Sequence, residues 1–98
     1  MGVSGIKNNK CFEQVLTLRG SWTFGTIAAN SGSTMMFPID ESITVDQEAV
    51  IIVTPNEVID PTVRCYGYFD EGHNNFYISV QNTGSSAVTH LDVNFVII

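Results

Sequence analysis

From residue 15 onward, apolar and polar residues alternate in short runs separated by Gly, Asn, Ser, Asp and Pro. Alternation with a period of two marks a strand with one buried face. In VLTLRGSWTFG, Leu16, Leu18, Trp22 and Phe24 share one parity, while Val15, Thr17, Arg19, Ser21 and Thr23 take the other. This predicts a half-buried strand with Trp22 in the core, bent or bulged at Gly20. TIAANSGS breaks the pattern with the turn formers Asn30, Ser31 and Gly32. STMMFPI is a short second strand, and Pro38, which has no N–H for a ladder, belongs at its end or on an edge.

EAVIIVTP is apolar without interruption from Ala49 to Val53. Such a run predicts a strand covered on both faces. TVRCYGYF alternates again, with Val63, Cys65 and Phe69 inward and Arg64, Tyr66 and Tyr68 outward. FYISVQN turns Phe76, Ile78 and Val80 inward, and THLDVNFVII does the same with Leu91, Val93, Phe95 and Ile97, leaving His90, Asp92 and Asn94 outward. DEGHNN and TGSSA are turns, and DESITVDQ links strands, with a short extended piece at Ile43–Val45. No stretch keeps a helical period. The pattern predicts an all-β fold: a single antiparallel β-sandwich or small barrel with a jelly-roll-like or Greek-key path. Residues 1–14 carry little pattern and are expected to form a flexible N-terminal arm ahead of a domain over 15–98.

The last strand raises its own question. Val96 and Ile98 have the parity opposite to the core face, so its end is apolar on both sides. An exposed apolar edge invites pairing with another chain. The strand is therefore expected to sit centrally in its sheet or to line the axis of an oligomer, with Val96 and Ile98 as candidate subunit contacts.

Composition narrows the partners. Only 14% of the 98 residues are charged and the net charge is −6. Four basic residues cannot form a phosphate-binding stripe, so nucleic acid is not an expected partner. No apolar run reaches the roughly 20 residues of a membrane helix. MGVSGIKNNKCFEQ lacks the apolar core of a signal peptide, and its Met-Gly start lacks the Ser or Thr of a myristoylation motif. Cys11 and Cys65 have no metal spacing and are expected to be reduced thiols. A bridge between them would need Cα atoms within about 7 Å.

The candidate chemistry is sparse. His73 and His90 are the two histidines, and no G-x-S-x-G elbow occurs, so no enzyme is expected. Asp92 follows His90 by two and shares its strand face, which predicts a surface pair. DEGHNN is rich in oxygen ligands but departs from the calcium-loop pattern and satisfies the needs of a hairpin turn. No metal or other cofactor is expected. Tyr66, Tyr68 and Tyr77, with Asp70, His73 and Asn75 nearby, are the candidate contact group. Their rings suit a sugar, and equally suit cross-strand packing or a subunit contact. Asp40, Glu41, Asp46 and Glu48 read as a solvated acidic surface.

The stretch WTFGTIAANSGST resembles a module of small structural proteins of tailed phages. There a Trp strand leads into an I-A-A-x-S turn and a Ser/Thr-rich strand. A buried strand ending in Pro follows, here VIIVTP. A Tyr strand comes next, then an Asn-led alternating strand, here FYISV into Gln81–Asn82, and a Gly/Ser turn before a last apolar strand. The likeness runs from Trp22 to Ile98, and VDQEAV, with Asp46, stands where the module has an Ala/Gly-Asp turn. The resemblance implies a virion protein without enzymatic activity. Its expected role is a capsid decoration (cement) protein, bound as a homotrimer to the major capsid protein and stabilising the head. The alternative is the trimeric head of a tail fibre or baseplate, or a lectin-like module, binding host glycan.

Overall fold

The computed structural model describes residues 18–98. Six strands make up this region: β1 Leu18–Phe24, β2 Ser31–Pro38, β3 Ile51–Pro55, β4 Val63–Phe69, β5 Asn75–Asn82 and β6 Leu91–Ile97. They form two three-stranded antiparallel sheets, ordered β1-β6-β3 and β2-β5-β4. The sheets pack on one another as a sandwich and do not close into a barrel. Strand β1 pairs with β6, β2 pairs with β5, and β3 packs against β4. The chain is thus doubled back and rolled up, and only the β4–β5 hairpin connects neighbours in one sheet. This is the winding of a jelly roll reduced to six strands.

Period-two alternation accounts for the core. Ile78, Val80, Leu91 and Val93 are wholly enclosed, and Phe24, Ile27, Val63, Phe76 and Ile97 are buried around them. An aromatic cluster bridges the sheets: Trp22 and Phe95 come from one, Phe37 and Phe76 from the other. Phe37 stacks on Phe76 at 5.0 Å, Trp22 meets the Phe37 ring edge-on at 5.3 Å, and Phe95 lies 5.1 Å from Phe76. Such pairings add to simple area burial. Trp22 and Phe95 are only part-buried, so the cluster forms an open side of the core. Gly67 sets the spacing between the sheets. A Cβ there would come within 2.8 Å of Ile51 Cδ1 and 3.0 Å of Val53 Cγ2.

Several expectations are corrected. The register of β1 against β6 runs unbroken through Gly20↔Phe95, so Gly20 is not a bulge. It instead leaves room for a ring, because a Cβ would lie 2.7 Å from Phe95 Cζ. Strand β3 is an edge strand with one exposed face, as Val50 and Ile52 are 55% and 47% accessible. Its unbroken apolar run reflects an exposed patch, not double coverage. Ser31 and Gly32 belong to β2, and of the three only Asn30, at φ 55°, lies in the turn, together with Ala29. Ile43–Val45 is not a strand. Residues 1–14, Cys11 and Val15–Thr17 lie outside the described residues. Cys65 is a free thiol facing inward beside Val80, and burial pushes its pKa up.

One buried polar side chain organises an end of the sandwich. Asn82 is 2% exposed. Its Nδ2 donates to the carbonyls of Ile27 (3.2 Å), Ala28 (3.2 Å) and Ser86 (2.9 Å), and its Oδ1 accepts from the Gly84 N–H at 3.0 Å. Two amide hydrogens are shared among three carbonyls. The β1–β2 and β5–β6 connections are thereby tied together, beside the paired Ile27–Val88 bridge.

Candidate functional site

The outer face of the β2-β5-β4 sheet carries the predicted tyrosines. Register places Met36, Tyr77 and Tyr68 side by side across the three strands, with Thr34, Ser79 and Tyr66 in the next row and Gly32, Gln81 and Arg64 in the one after. Tyr68 and Tyr77 stack at 4.9 Å with planes 10° apart, and Tyr66 stacks on Tyr68 at 6.0 Å. The three rings use their faces largely on one another. They do not form the flat row of open faces that stacks along a sugar chain. Tyr66 ends the stack and is half exposed, and beyond it the strand continues to Arg64. Ser79, though on this outer face, is buried beneath the row and shares a 2.9 Å hydroxyl contact with Thr34.

Asp70, His73 and Asn75 sit in the β4–β5 hairpin, beyond the tyrosine stack. Asp70 Oδ1 accepts from the N–H groups of Asn74 (2.8 Å) and Asn75 (3.2 Å), and Oδ2 accepts from Asn75 Nδ2 at 2.7 Å. Both carboxylate oxygens thus serve the turn. His73 holds φ 55° and stacks on the inward-facing Phe69 at 4.4 Å, with Nδ1 shielded and unbonded among the described residues. The structure therefore divides the predicted group. Three tyrosines form one stack, and the other three residues lie in the hairpin turn, where Asp70 and Asn75 bond each other. No cluster of three potential metal-ligating side chains occurs among the described residues. His90 precedes β6 and so does not share a strand face with Asp92, whose Oδ1 accepts from Thr23 Oγ1 at 2.6 Å.

The acidic residues also have structural roles. Asp40 Oδ1 accepts from the N–H and hydroxyl of Ser42, and Asp60 Oδ1 from those of Thr62. Asp46 Oδ1 accepts from the Glu48 N–H. These are Asx turns. The backbone N–H, then the hydroxyl, holds the Asp40 and Asp60 carboxyls below the usual range. At Asp70 the Asn75 side chain is the chief cause. With folded-state values below the unfolded one, their stabilisation is complete above about pH 4 and is lost as pH falls through the lower folded values. The thermal midpoint is expected to drop on acidification below about pH 4, and less steeply in Asp70→Asn. A calorimetric midpoint unchanged from about pH 5 to about pH 2 would show these bonds to be irrelevant to stability.

The second candidate surface lies on the opposite side of the sandwich. On the outer face of β1-β6-β3, Ile52 pairs beside Val96, and Val50 and Ile98 exchange both backbone hydrogen bonds at 3.0 and 2.9 Å. Ile98 is 46% exposed and Val96 is part-buried. The predicted contact residues thus meet Val50 and Ile52, which the uninterrupted apolar run places on a covered strand. Strand β6 itself is central, held between β1 and β3.

No protein-family model matches the chain, and neither a curated protein nor a solved structure is significantly similar to it.

Proposed function

We propose that the protein is a non-enzymatic structural subunit that assembles with copies of itself through the outer face of β1-β6-β3. The observation that carries this reading is the apolar patch of Val50, Ile52, Val96 and Ile98. A surface with so few charges and a contiguous apolar patch suits a chain that works within an assembly. Together with the phage-module resemblance, this supports a capsid decoration protein: a homotrimer that binds the major capsid protein and stabilises a virion head. A trimeric fibre or baseplate head is the second reading, favoured by the exposed tyrosine stack on the free side of the sandwich.

Light scattering on a sizing column tests self-assembly directly. Three times the chain mass is expected for the wild type. Ile52→Asp is expected to give a monomer while lowering monomer stability by less than about 1 kcal/mol, since Ile52 faces out of the core. A monomeric wild type, or an unchanged assembly in Ile52→Asp, would remove this patch as the interface. Co-sedimentation of the trimer with phage heads stripped of accessory proteins then separates decoration from a fibre role. Saturable binding supports the first.

A further inference from the structure

We propose that the concavity beside Tyr66, on the outer face of β4 and β5, binds a sugar ring bearing a carboxylate. It is a depression of about 580 Å³ lined by Pro61, Thr62, Arg64, Tyr66, Gln81 and Thr83. It lies on the side of the sandwich opposite the apolar patch, so this site stands or falls independently of the assembly reading.

Each wall supplies a different part of the recognition. Tyr66 stacks on Tyr68 and also lines the depression. An aromatic face there can cover the apolar C–H face of a pyranose. Arg64 and Gln81 are direct cross-strand partners on β4 and β5, and both line the depression; the guanidinium comes from Arg64. The guanidinium fork matches a carboxylate with two parallel N–H···O bonds. The Gln81 amide itself leans the other way, over Gly32 of β2. A Cβ there would lie 2.7 Å from Gln81 Nε2, so the amide reaches across β2 only because residue 32 has no side chain.

The far wall is rigid and rich in acceptors. Thr62 Oγ1 donates to Asp60 at 2.8 Å, and Thr83 Oγ1 donates to the Thr62 carbonyl at 2.8 Å. Both hydroxyl hydrogens are committed, so the two oxygens are left as acceptors for ligand hydroxyls. The Thr83 N–H also bonds the Thr62 carbonyl, which locks the two loops together. The lining contains one cation and no acidic side chain, in a chain of net charge −6. Arg64 favours an anionic ring over a neutral one, with the Asp60 carboxylate held behind the wall by Thr62.

Amide-resolved NMR titration of the full chain tests the site. Three probes are used: 3′-sialyllactose, glucuronate and lactose. The first carries its carboxylate on a terminal nonulosonic acid, the second on a uronic acid, and the third has none. At least one acidic probe is expected to bind with a dissociation constant near 1 mM, perturbing amides at 62–66 and 81–84, while lactose does not. Preference between the acidic probes identifies the source of the ring. Arg64→Gln is expected to weaken binding on the order of tenfold with an unchanged thermal midpoint, because the side chain is exposed. Tyr66→Phe is expected to retain binding and Tyr66→Ala to lose it. Silence from both acidic probes, equal binding of lactose, shifts that map elsewhere, or full binding by Arg64→Gln would each overturn the proposal.

Discussion

Phe95→Ala is expected to lower the stability of the fold by about 3 kcal/mol, at the lower end of the range for large aromatic truncations because the ring is only part-buried. The ring makes three kinds of contact at once. It covers Gly20 on the neighbouring strand, where no side chain competes for the space. It reaches across the sandwich to Phe76 at 5.1 Å and Phe37 at 6.1 Å. It also pairs with Val53 on its other side within the sheet. Truncation leaves Gly20 uncovered and removes one quarter of the aromatic bridge between sheets. Chemical denaturation of a monomeric background, such as Ile52→Asp, isolates the effect from assembly. A loss below about 1 kcal/mol would place Phe95 outside the core. Gly20→Ala should be destabilising for the same reason, because the new methyl group would take the space held by the ring.

Asn82→Ala should produce a loss of similar size, about 3 kcal/mol, by a different mechanism. Here little apolar contact is removed. The Ala28 and Ser86 carbonyls lose the side-chain donor, and the Gly84 N–H loses its acceptor. The Ile27 carbonyl is partly protected, since it also accepts from the Val88 N–H at 2.9 Å. For a domain of this size the corresponding fall in thermal midpoint is roughly 10–20 °C. The distinguishing readout is local. Amides of Ile27, Asn30, Gly84 and Val88 should exchange much faster in the variant, whereas those in the middle of β6 should follow only the global loss. Asn82→Asp should fare no better, because a carboxylate would face three carbonyl oxygens in a buried site. Wild-type exchange at those four amides would show that the loops hold without the clamp.

These two residues differ in how visible they are along the chain. Phe95 lies in a clean alternating run, and its inward direction follows from parity alone. Asn82 closes an equally clean run, but a polar residue at a strand end looks like the start of a turn. Only the convergence of two connections distant in sequence turns it into a buried hub. The tyrosines show the same division. Their outward direction is readable from TVRCYGYF and FYISV, yet their mutual stacking depends on β4 and β5 being neighbours in register. The neighbouring wall of Arg64, Gln81, Thr62 and Thr83 draws on two segments distant in sequence, and no local pattern joins them. Asp70 misled in the other direction. Its company of His73 and Asn75 suggested binding chemistry, whereas short-range hydrogen bonds consume it.

The alternation of side chains by itself determined that this protein is all-β, which stretches form most of its strands, and which residues of β1, β4, β5 and β6 face the core. That information is local, because successive residues of a strand must point to opposite faces. Which strands became central and which became edges was decided only by the tertiary structure. β3 looks doubly buried from its own composition, yet it lies at an edge, because β6 fills the place between it and β1. Pairing partners are chosen by the packing of whole faces across the sandwich, and that choice fixed where the apolar patch, the tyrosine stack and the Arg64 concavity emerge at the surface.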